Sequence, residues 1–135
     1  MKDLIEEIPK TMEKFMGCAG KMVKPSPNTV ADLIANIHSG ELATITQLRA
    51  QLANDFEVQT ACPAAIMKSL VILSKSNPDA PYWRVIKNKG ELIAKFPGGL
   101  LQHAQLLENE GLKIDPNKKT PVVIDFKSKL STAFS

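Results

Sequence analysis

Residues 77–94 read Asn77-Pro78-Asp79-Ala80-Pro81-Tyr82-Trp83-Arg84-Val85-Ile86-Lys87-Asn88-Lys89-Gly90-Glu91-Leu92-Ile93-Ala94. Asn77-Pro78 marks a boundary, because the residue before a proline is pushed out of the helical region. Tyr82 to Ile86 is rich in strand formers, Asn88-Lys89-Gly90 supplies a turn, and Glu91 to Ala94 can return antiparallel. The stretch predicts a small β-hairpin, a wing, if its flanks are helical.

The upstream flank is helical by pattern. Ser26-Pro27 is a helix start, and Val30, Leu33, Ile34 and Ile37 follow at spacings of three and four before Gly40. Thr44 opens a short amphipathic helix with Ile45, Leu48 and Leu52 inward and Gln47, Arg49 and Gln51 outward. After the polar stretch Asn54 to Thr60, Cys62-Pro63 begins a helix carrying Ile66, Met67, Leu70, Val71 and Leu73. That helix is apolar almost all round and must be buried on most sides. Two helices joined by a polar turn suit a helix-turn-helix unit, and equally any small helical bundle. Downstream, Gly98-Gly99 precede a helix with Leu100, Leu101, Ala104 and Leu107 that stops at Gly111.

The ends are less regular. Leu4, Ile5, Ile8, Met12 and Phe15 have a loosely helical spacing and predict an N-terminal helix kinked or split at Pro9. From Lys113 onward, prolines and lysines surround one apolar run, Val122-Val123-Ile124, which predicts a tail with one docking strand at most. The expected organisation is a helical extension over 1–24, a mostly α winged helix-turn-helix-like domain over 25–114 and a tail over 115–135.

The 135 residues, 44% hydrophobic, suffice for one sizeable core but not for two domains of usual size. Cys18 and Cys62 are the only cysteines, too few for a disulfide framework, and zinc-site spacing is absent, so neither metal nor cofactor is expected. With no targeting pattern and no apolar run long enough to span a bilayer, the expectation is a cytoplasmic monomer without a membrane partner, nucleoid-associated in a bacterial host. Between Thr44 and Lys95, seven basic residues oppose four acidic ones, 7 − 4 = +3, which equals the whole chain's net charge. Such a surplus fits phosphate contacts, although a solvated face would carry the same charges.

Several stretches line up in order with the C-terminal DNA-binding domain of the alkylguanine-DNA alkyltransferases (methylated-DNA-protein-cysteine methyltransferases). Gly40-Glu41-Leu42-Ala43-Thr44-Ile45-Thr46-Gln47-Leu48 resembles their Gly-Glu-Val-Val-Ser-Tyr-Gly-Gln-Leu, and Asn77-Pro78 resembles the Asn-Pro ahead of the active-site strand. Pro81-Tyr82-Trp83-Arg84-Val85 stands where that family has Pro-Cys-His-Arg-Val. Phe96-Pro97-Gly98-Gly99-Leu100 resembles the substrate loop Tyr-Ser-Gly-Gly-Leu. Leu106-Leu107-Glu108-Asn109-Glu110-Gly111 matches the closing Leu-Leu-x-x-Glu-Gly. The resemblance runs from about Pro25 to Ile114 and implies a divergent, alkyltransferase-like member.

In that family a thiolate takes the alkyl group from a guanine oxygen, with a histidine and a glutamate helping to remove the thiol proton. Tyr82 here replaces the cysteine and Trp83 the histidine, leaving Glu110 at the glutamate position. A phenol with a reference pKa of about 10 is a poor nucleophile at neutral pH, and an indole is no base. The resemblance therefore implies binding without transfer: double-stranded DNA, including alkylated duplexes, with lesions handed to downstream repair proteins. It assigns DNA contacts to Thr44, Ile45, Arg49, Lys68, Lys75 and Asn77. It assigns a base pocket to Tyr82, Trp83, Arg84, Pro97, Gly98, Gly99 and Glu110. Ile45 stands where the family has a tyrosine that presses on the target phosphate. Lys68 stands where an arginine fills the vacated stack, and lysine lacks the planar guanidinium for that task.

Two rival readings remain open. Cys62, at a helix N-terminus, is a candidate nucleophile for thiol-dependent alkyl transfer, although small buried cysteines at helix starts are commonly inert. A general winged-helix DNA-binding or protein-interaction module would share the same helices. His38 and His103 have no partners at metal or triad spacing and receive no chemistry.

Overall fold

The structure is a computed structural model that describes residues 2–134. Its central part follows from the caps. The Ser26 hydroxyl accepts the Thr29 N–H at 3.3 Å and Pro27 occupies the first position of helix α2, Pro27–Ile34. Thr44 and Gln47 form a reciprocal capping box at the start of α3, Ile45–Asp55. Cys62 occupies the N-cap position of α4, Pro63–Ser76, without a side-chain capping bond but again with proline at the first turn, and Gly98 precedes α5, Gly99–Glu108.

One core cluster joins Val30, Leu33 and Ile34 of α2, Leu48 and Leu52 of α3, and Ile66, Leu70 and Leu73 of α4 with Tyr82, Val85, Ile93 and Phe96. A second, formed by Leu42, Ile86, Leu92, Leu107, Leu112 and Val123, seats α5 against the chain's C-terminal part. These positions are the inward ones the periodicity gives for α2, α3 and α4. Burying such side chains contributes about 1.5–3 kcal/mol each before conformational entropy is subtracted.

The N-terminal segment is not helical over most of its length. Leu4–Glu7 is strand β1, Lys10–Met12 is a turn of 3₁₀-helix, and only Glu13–Met16 forms α1. β1 pairs antiparallel with β2, Lys21–Lys24, which pairs parallel with β4, Thr60–Ala61. The reason is length: Pro9 leaves too few residues ahead of it for a stable helical nucleus, whereas β2 offers a ladder. Asp3 ties this sheet to α2 by accepting from Ser26 N–H at 2.6 Å and Thr29 Oγ1 at 2.8 Å.

The expected wing is reduced to its turn. Gly90 N–H donates to Lys87 O and Lys87 N–H to Glu91 O, both at 2.9 Å, but the arms pair elsewhere. Tyr82–Arg84 is a 3₁₀ turn, and β5, Val85–Ile86, runs parallel to β3, Ala43–Thr44, which leads directly into α3. The return arm meets the tail instead, through Leu92 N–H to Pro121 O at 3.0 Å and Val123 N–H to Gly90 O at 2.9 Å.

The tail makes more than one docking strand. β7, Val122–Val123, pairs with β6, Ile114–Asp115. Farther on, Leu42 exchanges backbone bonds with Lys129 O and Ser131 N at 2.8 and 2.7 Å, and Phe134 joins the main core at 8% exposure. Phe126, Leu130 and Phe134 supply this docking; their spacing of four is that of a helix, but the segment forms only a 3₁₀ turn, Phe126–Lys129, before running extended at Leu130.

Candidate nucleic-acid interface and aromatic pocket

Tyr82 sits where the 3₁₀ turn delivers it into the core, 7% exposed. Its ring meets Trp83 edge-on at 5.2 Å and Phe96 edge-on at 4.8 Å, and Phe96 meets the His103 ring at 5.1 Å. Edge-to-face pairs of this kind add about 0.5–1.5 kcal/mol beyond burial. Burial raises the Tyr82 pKa further above an ordinary phenol's, which removes any nucleophilic phenolate at neutral pH.

Arg84 and Glu110 lie at one end of this cluster as a two-pronged ion pair. Arg84 Nε lies 3.0 and 3.1 Å from the two carboxylate oxygens and Nη2 2.6 Å from Oε2, while Nη1 donates to Ile37 O at 2.8 Å. Burial alone would raise the Glu110 pKa, but hydrogen bonding from Arg84, the nearby Trp83 indole, the Arg84 charge and the Gly40 N–H together hold it below the usual range. Trp83 Nε1 is close enough to act on that carboxylate but outside hydrogen-bonding geometry. Among the described residues it is the buried side-chain donor left without a partner. The guanidinium also lies 5.4 Å from the Trp83 ring centre. Glu110 is thus committed to Arg84, and Arg84 joins the segment after α5 and the carbonyl of Ile37, beyond α2, to the turn after Pro81.

His103, which the sequence gave no role, is a hub. At 1% exposure its Nδ1 accepts the Ile93 N–H at 3.0 Å, so Nε2 carries the proton and donates to Trp83 O at 2.8 Å. Burial lowers its pKa to about 4 against the two backbone bonds. Its spacing of four from Leu107 on α5 was the available signal that it faces inward.

The remaining assigned residues divide into two sets. Lys68, Lys75 and Asn77 are exposed on α4 and its end, and Pro97 and Gly98 are exposed on the loop above Phe96. Gly98 and Gly99 both have left-handed backbone, φ 81° and 69°, and a Cβ on Gly98 would lie 2.5 Å from Gln102 Cβ. By contrast Thr44 and Ile45 are buried, and the Thr44 hydroxyl is spent on the Gln47 N–H at 3.2 Å. Arg49, expected outward, turns to Ala61 O and Thr60 Oγ1, each at 3.0 Å, because β4 lies beside α3 with unpaired acceptors. Asn88, expected only as part of a turn, accepts the Thr46 N–H at 2.9 Å and so pins the turn after β5 to the first turn of α3.

Cys62 belongs to another cluster, with Ile8, Met16 and Met22, rather than to the Tyr82 group. Among the described residues no three His, Cys, Asp or Glu side chains gather to hold a metal, and no helix is long and apolar enough to cross a membrane.

This helix-rich arrangement with its small sheets has a fold consistent with the winged-helix-like C-terminal domain of the alkyltransferases. Two solved structures share it. One is Schizosaccharomyces pombe Atl1 in complex with damaged DNA containing O6-carboxymethylguanine, with TM-score 0.56 and 18% identity over 78% of this chain and 93% of that one. The other is S. pombe ATL in complex with DNA, with TM-score 0.57, 18% identity and the same coverages of 78% and 93%. No family model and no curated protein matches the sequence.

Proposed function

We propose that this protein binds double-stranded DNA without enzymatic turnover, in the manner of alkyltransferase-like proteins, and responds to alkylated guanine. The observation that carries the reading is a buried tyrosine at the family's nucleophile position, within a fold whose solved examples hold DNA. In this reading the exposed stripe of α4, Ala64, Lys68 and Lys75, faces a groove, with the two lysines on phosphates. Tyr82 then stacks on an extrahelical base, because an aromatic face accepts a base without reacting with it. Tyr82 and Phe96 are closed over one another, at 7% and 3% exposure, so base entry requires the Phe96–Gly99 loop to lift. The base would then lie near an imidazole whose one basic nitrogen is taken by the Ile93 N–H and a carboxylate paired with Arg84, so neither is free to accept a thiol proton.

The transfer alternative through Cys62 requires a thiol outside the aromatic cluster to reach the alkyl carbon, and the placement of Cys62 in a separate cluster counts against it. Gel-shift titration of plain and O6-alkylguanine duplexes at low salt tests the proposal. The expected result is tighter binding of the alkylated duplex and an unchanged protein mass afterwards. Equal absence of binding to both would sink it, and a mass gain equal to the alkyl group would establish transfer instead.

A further inference from the structure

A cavity of ≈ 430 Å³ lies between the N-terminal sheet and α4, outside the aromatic pocket. Its walls are Leu4, Pro25, Cys62, Ala64 and Ala65, and the rim carries the ammonium groups of Lys2, Lys24 and Lys68. Two serines also line it, but both hydroxyls are engaged. Ser69 Oγ donates to Pro25 O at 3.2 Å, and Ser26 Oγ caps α2 while donating to Thr29. The polar capacity left to an occupant is therefore cationic. Of the three lysines, Lys24 is paired with Glu6 at 2.9 Å, and no ion pair involves Lys2 or Lys68 among the described residues.

The geometry points to a binding site for a small amphipathic anion, a molecule with a flat or branched apolar body and one carboxylate, sulfonate or phosphate group. Its size falls in the range of ordinary small-molecule sites. The apolar body covers Leu4 and the Ala64–Ala65 face at the first turn of α4, and the anionic head sits at the lysine rim. The site is built by residues outside the span that resembles the alkyltransferases as well as by α4, so the N-terminal sheet acquires a purpose beyond covering β4. A second consequence rests on the proposed DNA reading. Lys68 serves both the cavity and the α4 face, so occupant and duplex compete for it.

The probe is 8-anilinonaphthalene-1-sulfonate, an apolar aromatic sulfonate, titrated into the full chain and followed by fluorescence. We expect saturable binding of one dye per chain. Lys68→Glu should weaken it about tenfold by reversing one rim charge, and Ala64→Phe should weaken it at least as much by filling the cavity. Lys113→Glu, which does not line the cavity, should leave it unchanged. Near-UV circular dichroism identifies any variant that has lost its packing, and Lys68→Glu, an exposed change, keeps the test decisive if Ala64→Phe misfolds. No dye binding, or binding equal in wild type and a folded Lys68→Glu, overturns the site. Duplex added to the dye complex should release the dye. Duplex binding without release refutes the shared lysine, and dye binding without any duplex binding refutes the DNA reading while the site stands.

Discussion

Protonation of His103 should destabilise this protein from the inside. Its imidazole is 1% exposed, with Nδ1 accepting from Ile93 N–H and Nε2 donating to Trp83 O. A proton on Nδ1 would abolish the first bond and place a charge among Phe96, Ile93 and Trp83. The pKa is accordingly lowered from 6.5 to about 4, first by burial. Between those values the unfolded chain binds a proton that the folded chain refuses, so stability falls as pH drops below about 6.5 and levels off below about 4. At about 1.36 kcal/mol per pH unit, the loss approaches roughly 3 kcal/mol in full and roughly 2 kcal/mol at pH 5. For a domain of this size that is a substantial part of a total stability of about 5–15 kcal/mol. Urea unfolding at pH 7.5 and 5.0 measures it. His103→Gln keeps a donor and an acceptor but does not titrate, so it should be less stable at pH 7.5 yet lose roughly 2 kcal/mol less on acidification. An equal loss in both proteins, or a folded-state nuclear magnetic resonance titration of His103 near 6.5, would refute the reasoning.

Arg84→Ala should cost about 3 kcal/mol in urea unfolding, because it strands the Glu110 carboxylate and the Ile37 carbonyl. Glu110 also sets a second acid transition: its lowered pKa means that stability present at neutral pH is lost as pH falls through the carboxylate range, below the window of His103. Thr44→Ala removes the capping-box acceptor of α3 and should cost about 1 kcal/mol by thermal or chemical unfolding. Gly90→Ala forces a side chain into φ 83° with its Cβ 2.5 Å from Phe126 Cδ1, and should free the tail, seen as faster proteolysis after Lys119 at unchanged far-ultraviolet circular dichroism.

The helices α2, α3 and α4 were legible because their signals are local: a cap, a proline at the first turn and apolar side chains at three- and four-residue spacing. The sheets were not, because each pairs segments far apart in the chain. Val85–Ile86 has the composition of a strand, but nothing in residues 82–94 says that its partner is Ala43–Thr44 rather than Glu91–Ala94. The N-terminal misreading has the same origin, since Leu4 and Ile5 remain 52% and 51% exposed in a strand whose pairing with β2 is a backbone matter. For the candidate site, Tyr82 and Trp83 were singled out by their position in the motif, whereas Phe96 as their ring partner and the partners of Arg49 were not legible. A side chain's direction depends on which acceptor is nearest in space, and for Arg49 that is a carbonyl on β4, twelve residues along the chain.

Around Tyr82, chemistry and packing are set by the same contacts. A cysteine at this position would be small, would leave space beneath Phe96, and would need a base beside it. With tyrosine in place, the ring fills that space at 4.8 Å from Phe96, the neighbouring Trp83 turns its carbonyl to His103, and Arg84 secures Glu110. Every group that would assist a nucleophile is therefore consumed in holding an aromatic floor. The substitution Tyr82→Cys would remove a ring from a packed core at a cost of about 3–5 kcal/mol and would supply neither a base nor a free carboxylate. Incubation of Tyr82→Cys with alkylated duplex should consequently give no mass gain. A stoichiometric gain would mean that Trp83, Arg84 and Glu110 rearrange around the thiol, and the floor would then be far less rigid than its hydrogen bonds imply.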